Sequence, residues 1–503
     1  MNFIDKFLNN ITMYRLALYG LSLVALVAIV LGFAGAIPYS GLSLVISLAV
    51  ILAGCYLFNH VFAWIFKAPT NVDSFWITGF ILFFLAAPTL SGKGLLILVA
   101  ISAIAMLSKY TLAFKKKHLF NPAAITAVIL GLLSIGDINW WVATPILNMV
   151  TLVVGLLIVR KLRRFPMFFA FLIASIGLAI FTYVLPSNIS AVEFARQVLF
   201  SWQLIFFGTI MFTEPMTTPP TKKTQIVYGV IVGLLFSSQL HIGNFYMSPE
   251  LALVIGNIFS YLASSKQKLV LHFKSKKQIS ATIYDFVFSA DQKLRFKSGQ
   301  YLEWTLPHKT PDTRGNRRFF TVASSPTEQD IHLGIRIAEK DGSTFKKHLL
   351  ELKENDSFVA SQLAGEFTLP DDASQKLVFI AGGIGVTPFR SMMKYLLDIN
   401  ELHKNSAQKN ERRDIALFYL VNTEADIAYR EIFEEAQEKI GLQFVPLVDV
   451  RINAEMIREK LPDFAERYFY LSGPNGMVES YKKMLSDLGV PRKQVKVDYF
   501  PGY

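Results

Sequence analysis

The 503-residue sequence contains a single cysteine, Cys55, and this scarcity limits the chemistry that the chain can perform. One cysteine excludes a disulfide bond within the chain. It also excludes an iron–sulfur cluster held by several cysteines, and a cysteine-rich zinc site. We therefore expect no bound metal.

Histidines are few in the apolar half of the chain, where a membrane haem would need them. Only His60, His118 and His241 lie within residues 1–264. A transmembrane haem requires paired histidine ligands on two spans, and no two of these residues share an apolar segment. A haem-bearing bundle is therefore disfavoured.

Charged residues are scarce before Ser264 and abundant after it. The composition combines 52% hydrophobic residues and a mean hydropathy of +0.39 with a net charge of +12. No single water-soluble domain has that composition, whereas a membrane half followed by a water-soluble half explains it. The basic residues mostly flank apolar segments, so they predict membrane topology and do not indicate a nucleic-acid partner.

Ten apolar segments in the first half predict spans of a lipid bilayer. They lie at 14–36, 41–66, 74–90, 94–113, 121–136, 143–159, 165–185, 194–213, 225–241 and 249–264. With the N-terminus inside, the basic clusters fall in cytoplasmic segments, and the outer loops hold almost no basic residue except Lys93. The pattern predicts a multi-pass protein of a cytoplasmic membrane, of the bacterial type, with both termini in the cytoplasm.

Two pairs of prolines indicate an internal repeat in the apolar half. Pro249 follows Pro122 by the same interval of 127 residues that separates Pro215 from Pro88. This offset carries each span onto the span five places later, so the two halves would run in opposite directions across the membrane. Inverted halves with helices broken at matching places mark a central ligand site. The alternative is a set of ordinary helices that begin at proline.

Polar side chains at membrane depth predict where such a site lies. Asn121, Glu214 and Thr217 fall beside the proline pairs, and polar groups within spans usually face a cavity or a partner. We take these three residues, together with Thr144, as the candidate membrane site. The alternative for Glu214 is a solvated position at the cytoplasmic surface.

The segments Phe120–Ala124 and Met211–Thr217 resemble the B subunit of sodium-translocating NADH:quinone reductase and the D subunit of the Rnf complex. The resemblance covers about residues 40–264. It implies ten spans in two inverted halves, with FMN or a quinone bound in the membrane. Members of that family often carry FMN esterified to a threonine in a Ser-Gly-Ala-Thr segment. The matching Thr144 stands in Trp-Val-Ala-Thr-Pro, which is either such an attachment point or the start of a helix.

After Ser264 the pattern changes to short alternating runs, which are typical of β-strands. The runs 269–273, 281–288, 300–306, 318–323, 331–337 and 356–360 predict an antiparallel barrel. From Lys376 onward strands and helices alternate, which predicts a parallel, doubly wound sheet. The expected fold class is an α-helical membrane bundle with inverted repeats, an antiparallel β-barrel and an α/β doubly wound domain. The expected domains are 1–264, 268–372 and 373–503.

The run Arg317-Arg318-Phe319-Phe320-Thr321 carries the first chemical motif. On a strand, Arg318 and Phe320 point to one face. A guanidinium can bind a flavin pyrophosphate and an aromatic ring can cover the isoalloxazine. The hydroxyl of Thr321 can bond near the flavin N5. Alone, the motif would also describe an exposed arginine on a barrel strand.

The second motif is Gly342-Ser343-Thr344, which opens a predicted helix. Hydroxyl groups and backbone N–H groups at a helix start suit a second contact with phosphate. Alone, the motif is only a helix-capping pattern.

The third motif is a glycine-rich turn that directly follows an apolar strand. Gly382, Gly383 and Gly385 would let a diphosphate approach the backbone, and Thr387 with Pro388 opens a helix whose start favours negative charge. A purely structural turn would not need three glycines.

The fourth motif, from Ser472 to Met477, ends the last clear strand. Strand ends line the ligand crevice of a doubly wound sheet. The chain then finishes with a group of aromatic residues. These two segments supply the further candidate site residues Ser472, Gly473, Pro474, Met477, Phe500 and Tyr503.

These four motifs, in this order, resemble the ferredoxin–NADP reductase-like superfamily over about residues 268–503. The resemblance implies FAD bound by the barrel through Arg318, Phe320 and Thr321. It implies a nicotinamide dinucleotide whose diphosphate lies at Gly383 and Thr387. The catalytic residues that we carry over are Thr321, Ser472 and Tyr503.

We therefore expect an NAD(P)H:acceptor oxidoreductase in which electrons pass from NAD(P)H through FAD to a quinone, a second flavin or a separate protein. The expected partners are NAD(P)H, the bilayer and an unidentified electron acceptor. Two alternatives stay open. One is a ferric or haem-type transmembrane reductase, and the other is a transporter or anchor that carries a reductase as a regulatory module.

Overall fold

The computed structural model describes residues 4, 7–8, 11–66, 72–114, 117–136, 138–200, 203–237, 240–243, 245–264, 269–308, 312, 316–337, 343–403 and 413–498. The chain divides into two compact units, Phe3–Ser264 and Ser265–Pro501. Each unit is described by itself.

The first unit is helical. Its helices are α1 Met13–Phe33, α2 Gly41–Ile65, α3 Val72–Leu85, α4 Gly92–Thr111, α5 Pro122–Leu133, α6 Pro145–Leu162, α7 Phe165–Ala179, α8 Ala191–Phe200, α9 Leu204–Phe206, α10 Lys222–Leu235 and α11 Pro249–Ala263. Helix α7 continues through the π-helical turn Ile180–Val184 to Leu185–Ser187, and α9 continues into a second one, Phe207–Met211. Two short hairpins precede α5 and α11: β1 Ala113–Phe114 with β2 Lys117–His118, and β3 His241–Ile242 with β4 Phe245–Tyr246.

Local sequence sets where these helices begin. The hydroxyl groups of Thr12, Ser40 and Ser91 accept hydrogen bonds from backbone N–H groups in the first turns of α1, α2 and α4. Helices α5, α6 and α11 each begin at a proline. The fixed φ of proline suits the first turn, where its missing N–H group is not needed.

A helical, apolar first half is confirmed. Among the described residues, five helices are long and apolar enough to cross a membrane: Met13–Phe33, Gly41–Ile65, Gly92–Thr111, Pro145–Leu162 and Phe165–Ser187. Three further apolar helices are shorter: Asp73–Leu85, Pro122–Leu133 and Pro249–Ala263. The count of ten spans stays a prediction.

Helices α7 and α10 pack closely because α10 presents two glycines to α7. A Cβ atom on Gly229 would lie 2.6 Å from the carbonyl oxygen of Met167, and one on Gly233 would lie 2.6 Å from that of Phe171. Glycines four residues apart share one helix face, and small residues at this spacing let membrane helices approach each other. A side chain at either position would push the two helices apart.

The second unit begins with a six-stranded antiparallel sheet. Its strands are β5 Leu269–Gln278, β6 Ile283–Ala290, β7 Tyr301–Thr305, β8 Arg317–Thr321, β9 Ile331–Arg336 and β10 Ser357–Ala364, in the spatial order β8-β7-β10-β5-β6-β9. Helix α12, Thr344–Leu350, lies between β9 and β10 in the chain. The backbone N–H of Ala323, just after β8, donates to the carbonyl oxygen of His332 on β9. This bond brings the two outer strands of the sheet together at one end.

A five-stranded parallel sheet follows. Its strands are β11 Leu377–Gly382, β12 Ile415–Val421, β13 Gln443–Val448, β14 Tyr468–Ser472 and β15 Val495–Val497, in the spatial order β13-β12-β11-β14-β15. The helices α13 Thr387–His403, α14 Arg430–Ile440, α15 Ala454–Lys460 and α16 Asn475–Asp487 alternate with the strands. The predicted arrangement of a β-sheet followed by an α/β layer is confirmed.

The parallel sheet is buried on both faces. In β11, Leu377 and Phe379 pack into one apolar cluster, and Val378 and Ile380 pack into the cluster on the opposite face. This follows from the two-residue period of a strand. A strand that is apolar throughout, as β11 is, belongs at the centre of such a sheet.

We predict that Gly233→Ala lowers the stability of the first unit by about 1–3 kcal/mol, because the new methyl group would overlap the carbonyl of Phe171. Gly177→Ala is the matched control. Gly177 lies in α7, and no described atom lies within 4 Å of its Cβ position. The measurement is the thermal unfolding midpoint of the purified protein in detergent. A midpoint that is as high for Gly233→Ala as for Gly177→Ala would contradict the close packing of α7 and α10.

Candidate active site

A cavity of about 660 Å³ lies within the second unit. It is lined by the end of β8, by β9, by the glycine turn after β11, and by the segments that follow β12, β13 and β14. Strands β11 and β14 are neighbours, although β12 and β13 lie on the other side of β11. The strand order therefore reverses at β11, and ligands of doubly wound sheets bind beside such a reversal.

The glycine turn is packed tightly on one side and open on the other. A Cβ atom on Gly385 would lie 2.5 Å from the carbonyl oxygen of Ser472, and one on Gly382 would lie 2.4 Å from Sδ of Met477. Gly383 has a φ of +53°, in the left-handed region, and no described atom lies within 4 Å of its Cβ position. The backbone at Gly383 is thus accessible to a ligand from the cavity side.

Helix α13 starts at the cavity. Its first residue, Thr387, lines the cavity, and Oγ1 of Thr387 donates to the carbonyl oxygen of Ile384 at 3.2 Å. Pro388 is the second helical residue and is not part of the lining. The start of a helix of 17 residues carries partial positive charge, which favours an anion at this end of the cavity.

Strand β8 brings Phe320 and Thr321 to the cavity. Arg318 lies on the same side of the strand as Phe320, because the guanidinium is 5.3 Å and the Phe320 ring 5.8 Å from the ring of Phe345. Nη2 of Arg318 lies 3.3 Å from Oδ1 of Asp312. Arg318 is therefore buried beside the cavity, in an ion pair, and it is not among the residues that line it.

Ser343 and Thr344 make local hydrogen bonds. Oγ of Ser343 accepts from the backbone N–H of Lys346, which caps α12. The backbone N–H of Thr344 donates to Oδ2 of Asp312 at 3.1 Å, and Oγ1 of Thr344 accepts from the backbone N–H of Asp312 at 2.9 Å. One carboxylate, that of Asp312, therefore links Arg318 to the start of α12. The sequence analysis missed Asp312, because it lies in no motif.

Ser472 is paired with a second residue that the sequence analysis did not assign. Oγ of Ser472 donates to Oδ2 of Asp498 at 3.2 Å, and both residues are buried and line the cavity. Burial raises the pKa of the Asp498 carboxyl from 3.8 to about 7, and the hydrogen bond from Ser472 opposes this only in part. Gly473, Pro474 and Met477 also line the cavity.

The sequence analysis also missed several other polar residues of the cavity lining, among them three at the ends of parallel strands. Asn422 follows β12, and Asp449 and Arg451 follow β13. Their position was the available signal, because the carboxyl ends of parallel strands meet at one edge of the sheet.

Three predicted site residues, Gly342, Phe500 and Tyr503, lie outside the described residues. Among the residues that are described, no group of three or more His, Cys, Asp or Glu side chains could hold a metal ion.

In the first unit, three of the four predicted membrane-site residues come together. Nδ2 of Asn121 donates to Oε2 of Glu214 at 3.0 Å, and Oγ1 of Thr217 donates to the same oxygen at 3.1 Å. Asn257 joins them, because its Oδ1 accepts from the backbone N–H of Asn121 at 2.9 Å. Nδ2 of Asn257 in turn donates to Oη of Tyr228 at 3.3 Å. The sequence analysis assigned no role to Asn257 or Tyr228.

Thr144 is not part of this polar cluster. It precedes α6, and its hydroxyl makes no capping bond to that helix. Oγ1 of Thr144 is buried and has no hydrogen-bond partner among the described residues.

Comparison with known proteins concerns part of the chain. Residues 379–483 match the family described as the oxidoreductase NAD-binding domain. An oxidoreductase NAD-binding domain-containing protein 1 from Pongo abelii is 27% identical over 230 residues, which cover 41% of this chain and 71% of that protein. A flavohemoprotein from Candida albicans is 26% identical over 223 residues, which cover 41% of this chain and 51% of that protein. The reductase component of a phenol 2-monooxygenase from Pseudomonas is 29% identical over 173 residues, which cover 34% of this chain and 44% of that protein.

These similarities confirm the predicted enzyme class. The C-terminal half carries an oxidoreductase NAD-binding domain over residues 379–483, which agrees with NAD(P)H as a cofactor. The relatives, a flavohemoprotein and a monooxygenase reductase component, agree with the expected flavin. The chain spans about half the length of the flavohemoprotein, so the activity of that whole protein is not carried over. The resemblance of the first half to membrane subunits stays a prediction.

We predict that Asp498→Asn removes part of the pH dependence of stability. Because the folded state raises this pKa to about 7, it binds a proton more tightly than the unfolded state between about pH 4 and 7. The wild-type protein should therefore lose stability as the pH rises through this window, by up to about 4 kcal/mol, and lose no more above it. The measurement is the difference in thermal unfolding midpoint between wild type and variant at about pH 4.5, 6 and 7.5. A difference that does not change with pH would show that Asp498 titrates normally.

Proposed function

We propose that this chain is a membrane-bound, flavin-dependent oxidoreductase that passes electrons from NAD(P)H through FAD to an acceptor in the membrane. One observation carries the proposal. The cavity brings Phe320 and Thr321 of the antiparallel sheet together with the open backbone at Gly383 of the parallel sheet. A flavin and a nicotinamide must meet for hydride transfer, and this cavity has walls suited to each.

The parallel sheet fits a nicotinamide dinucleotide. The glycine turn leaves space that a Cβ atom would otherwise enter, and Thr387 with the start of α13 favours a diphosphate there. Asn422, Asp449 and Arg451 line the cavity at the strand ends that hold the rest of the dinucleotide in doubly wound sheets. We propose Gly382, Gly383, Gly385 and Thr387, with Gly473, Pro474 and Met477 beside them, as this binding site.

The antiparallel sheet fits a flavin. Phe320 presents an aromatic ring and Thr321 a hydroxyl at the cavity. Arg318, which is buried beside them, would supply the charge for the FAD diphosphate, with Ser343 and Thr344 nearby. In the structure the carboxylate of Asp312 lies between Arg318 and Thr344, so an anion is already held at this position.

The flavin, when bound, accepts a hydride from the nicotinamide and can release electrons singly. The residues of the chain would bind the flavin and the nicotinamide and orient them toward each other. Thr321 would hydrogen-bond near the reacting edge of the ring, and Ser472 lies against the glycine turn on the opposite wall. The carboxyl group of Asp498 can hold a proton beside the hydroxyl of Ser472, which donates to its Oδ2. The resemblance adds Phe500 and Tyr503, and we propose the boundaries 1–264, 268–372 and 373–503 for the three domains.

We further propose that the first unit is a ten-span bundle of two inverted halves. Several features support this. A short hairpin followed by a helix that begins at proline occurs twice, as β1-β2-α5 and as β3-β4-α11. Helix α2 packs on α4, and α7 packs on α10, about 127 residues later in the chain. Helices α5 and α11, which correspond in the repeat, contact each other, and so do α1 and α6.

The polar cluster of Asn121, Glu214, Thr217, Asn257 and Tyr228 is the proposed membrane site. It lies where α5 begins, and it is largely buried among apolar helices. Polar groups at such a depth are costly unless they bond to one another or to a ligand. We propose that FMN or a quinone binds here and that the electrons from FAD reach it. With ten spans, both termini of the chain would lie in the cytoplasm.

The function is tested by anaerobic titration of the purified protein with NADH and with NADPH, with flavins counted after acid extraction. We predict that the visible flavin absorbance is bleached by NADH, and that Arg318→Ala lowers FAD affinity by about tenfold or more. Arg318→Ala would remove a charge-assisted hydrogen bond to the FAD diphosphate that is worth roughly 1.5–3 kcal/mol. Lys482→Ala, at a half-exposed lysine of α16, is the control. Full FAD occupancy in Arg318→Ala would refute the assigned flavin site.

The conducting role of the first unit is tested in lipid nanodiscs. We predict that Asn121→Ala and Glu214→Gln lower NADH-driven reduction of a quinone by about tenfold, because each breaks the polar cluster, while reduction of a soluble dye is unchanged. Gln197→Ala, which removes a partner of Tyr183 in the same unit, should change neither rate. Equal quinone rates in all variants would favour the alternatives, in which the first unit is an anchor or a transporter.

A further inference from the structure

We propose that Arg390 is a positioning residue that sets the distance between the flavin strand β8 and the glycine turn after β11. The inference rests on the proposed function, because it concerns the spacing of the two walls between which hydride would pass. It assigns a role to a residue that lies in none of the four motifs and does not line the cavity.

Arg390 shares one face of α13 with the residue that opens the helix at the cavity. Thr387, Arg390 and Ser391 are three and four residues apart, so their side chains lie on the same face. Thr387 lines the cavity, and the two residues one turn later face the segment that follows β8. The helix that would hold the diphosphate is therefore attached to the antiparallel sheet by its first turns.

The attachment points on the antiparallel sheet are two backbone carbonyls directly after the flavin strand. Nη1 of Arg390 donates to the carbonyl oxygen of Ala323 at 3.0 Å. Oγ of Ser391 donates to the carbonyl oxygen of Ser324 at 2.6 Å. These carbonyls lie two and three residues beyond Thr321, and all four bonded residues are buried. A shift of α13 would therefore move the end of β8 with it.

A carboxylate holds the guanidinium in place. Nη2 of Arg390 donates to Oε1 of Glu328 at 2.8 Å, and Nη1 donates to Oε2 of the same residue. Oε2 of Glu328 also accepts from the backbone N–H of Ser325 at 2.6 Å, so the acid is fixed by its own loop. A two-pronged bond of this kind requires the planar guanidinium, and lysine cannot reproduce it.

A second set of bonds joins the same two sheets on the other side of Arg390. Its guanidinium lies 5.6 Å from the ring centroid of Tyr429. Oη of Tyr429 donates to Oδ1 of Asp285 at 3.0 Å, and Oδ2 of Asp285 lies 2.7 Å from Nδ1 of His332. Asp285 and His332 belong to the antiparallel sheet, whereas Tyr429 precedes α14. Arg390 thus lies in the middle of a buried polar network that spans the two parts of this unit.

The expected consequence of disturbing Arg390 is a loss of rate with little loss of binding. Hydride transfer depends steeply on the distance between donor and acceptor, and a displacement of about 1 Å can cost a factor of about 100. Arg390→Lys removes no residue of either proposed cofactor-binding wall, because Phe320, Thr321 and Gly383 are unaltered in the variant. The substitution also preserves the charge.

The experiment measures anaerobic stopped-flow reduction of the flavin by NADH in the full-length protein. Arg390→Lys, and independently Glu328→Gln, should lower the limiting rate about tenfold or more, while the apparent NADH dissociation constant changes less than about threefold and FAD occupancy stays complete. Hydrogen exchange should rise in residues 320–324. The limiting rate of the double variant should be no lower than that of the slower single variant, because the two substitutions break the same ion pair.

Arg467→Lys is the matched control. Arg467 is equally buried and makes the same two-pronged bond, to Asp414, at 2.8 and 2.9 Å, but it does not line the cavity or contact the antiparallel sheet through that bond. It should keep the wild-type rate and leave exchange in 320–324 unchanged. Equal rate losses in Arg390→Lys and Arg467→Lys, or unchanged exchange in 320–324 in Arg390→Lys, would overturn the positioning role. A wild-type flavin that NADH does not reduce would overturn the proposed function, and the exchange measurement would still decide the role of Arg390.

Discussion

The close approach of the turn after β11 to the end of β14 is the constraint on which the site depends. The position of a Cβ atom on Gly385 lies 2.5 Å from the carbonyl oxygen of Ser472, so only glycine fits there. In the same turn, the backbone of Gly383 is open to the cavity, and α13 begins at Thr387, which also lines the cavity. From that start, α13 carries Arg390 and Ser391 to the segment after β8. The glycine turn thus joins the proposed nicotinamide site, through α13, to the segment that follows the proposed flavin strand β8.

The sequence predicted the parts of this site that are local. An apolar strand, a glycine turn and a helix start follow one another within a dozen residues, and the alternating runs of the antiparallel sheet are equally local. It did not predict the fifth parallel strand, β15, which has only three residues and is defined by its pairing with β14. It also missed Asp312, Glu328 and Asp498. Their roles come from contacts with residues far away in the chain, and no spacing rule reports such contacts.

In the first unit the sequence was informative for a different physical reason. Polar side chains are costly in an apolar bundle, so the rarity of Asn121, Glu214 and Thr217 was itself a signal, and these three residues meet. The same reasoning should have included Glu250. It is buried in the first turn of α11 and accepts a hydrogen bond from Nε1 of Trp140 at 2.5 Å. Glutamate is also common in the exposed first turn of a helix after proline, so the local sequence does not distinguish the two environments.

The buried charges of the second unit show which group can exchange a proton. Arg318, Arg390 and Arg467 each form an ion pair with a carboxylate, that of Asp312, Glu328 and Asp414 respectively. Asp498 is held instead by the hydroxyl of Ser472, and burial raises its pKa to about 7. A carboxyl near its midpoint at neutral pH can take up or release a proton at small cost. The Arg390–Glu328 pair holds the segment after β8 in place, and Asp498 is an acid in the cavity lining that can exchange a proton near neutral pH.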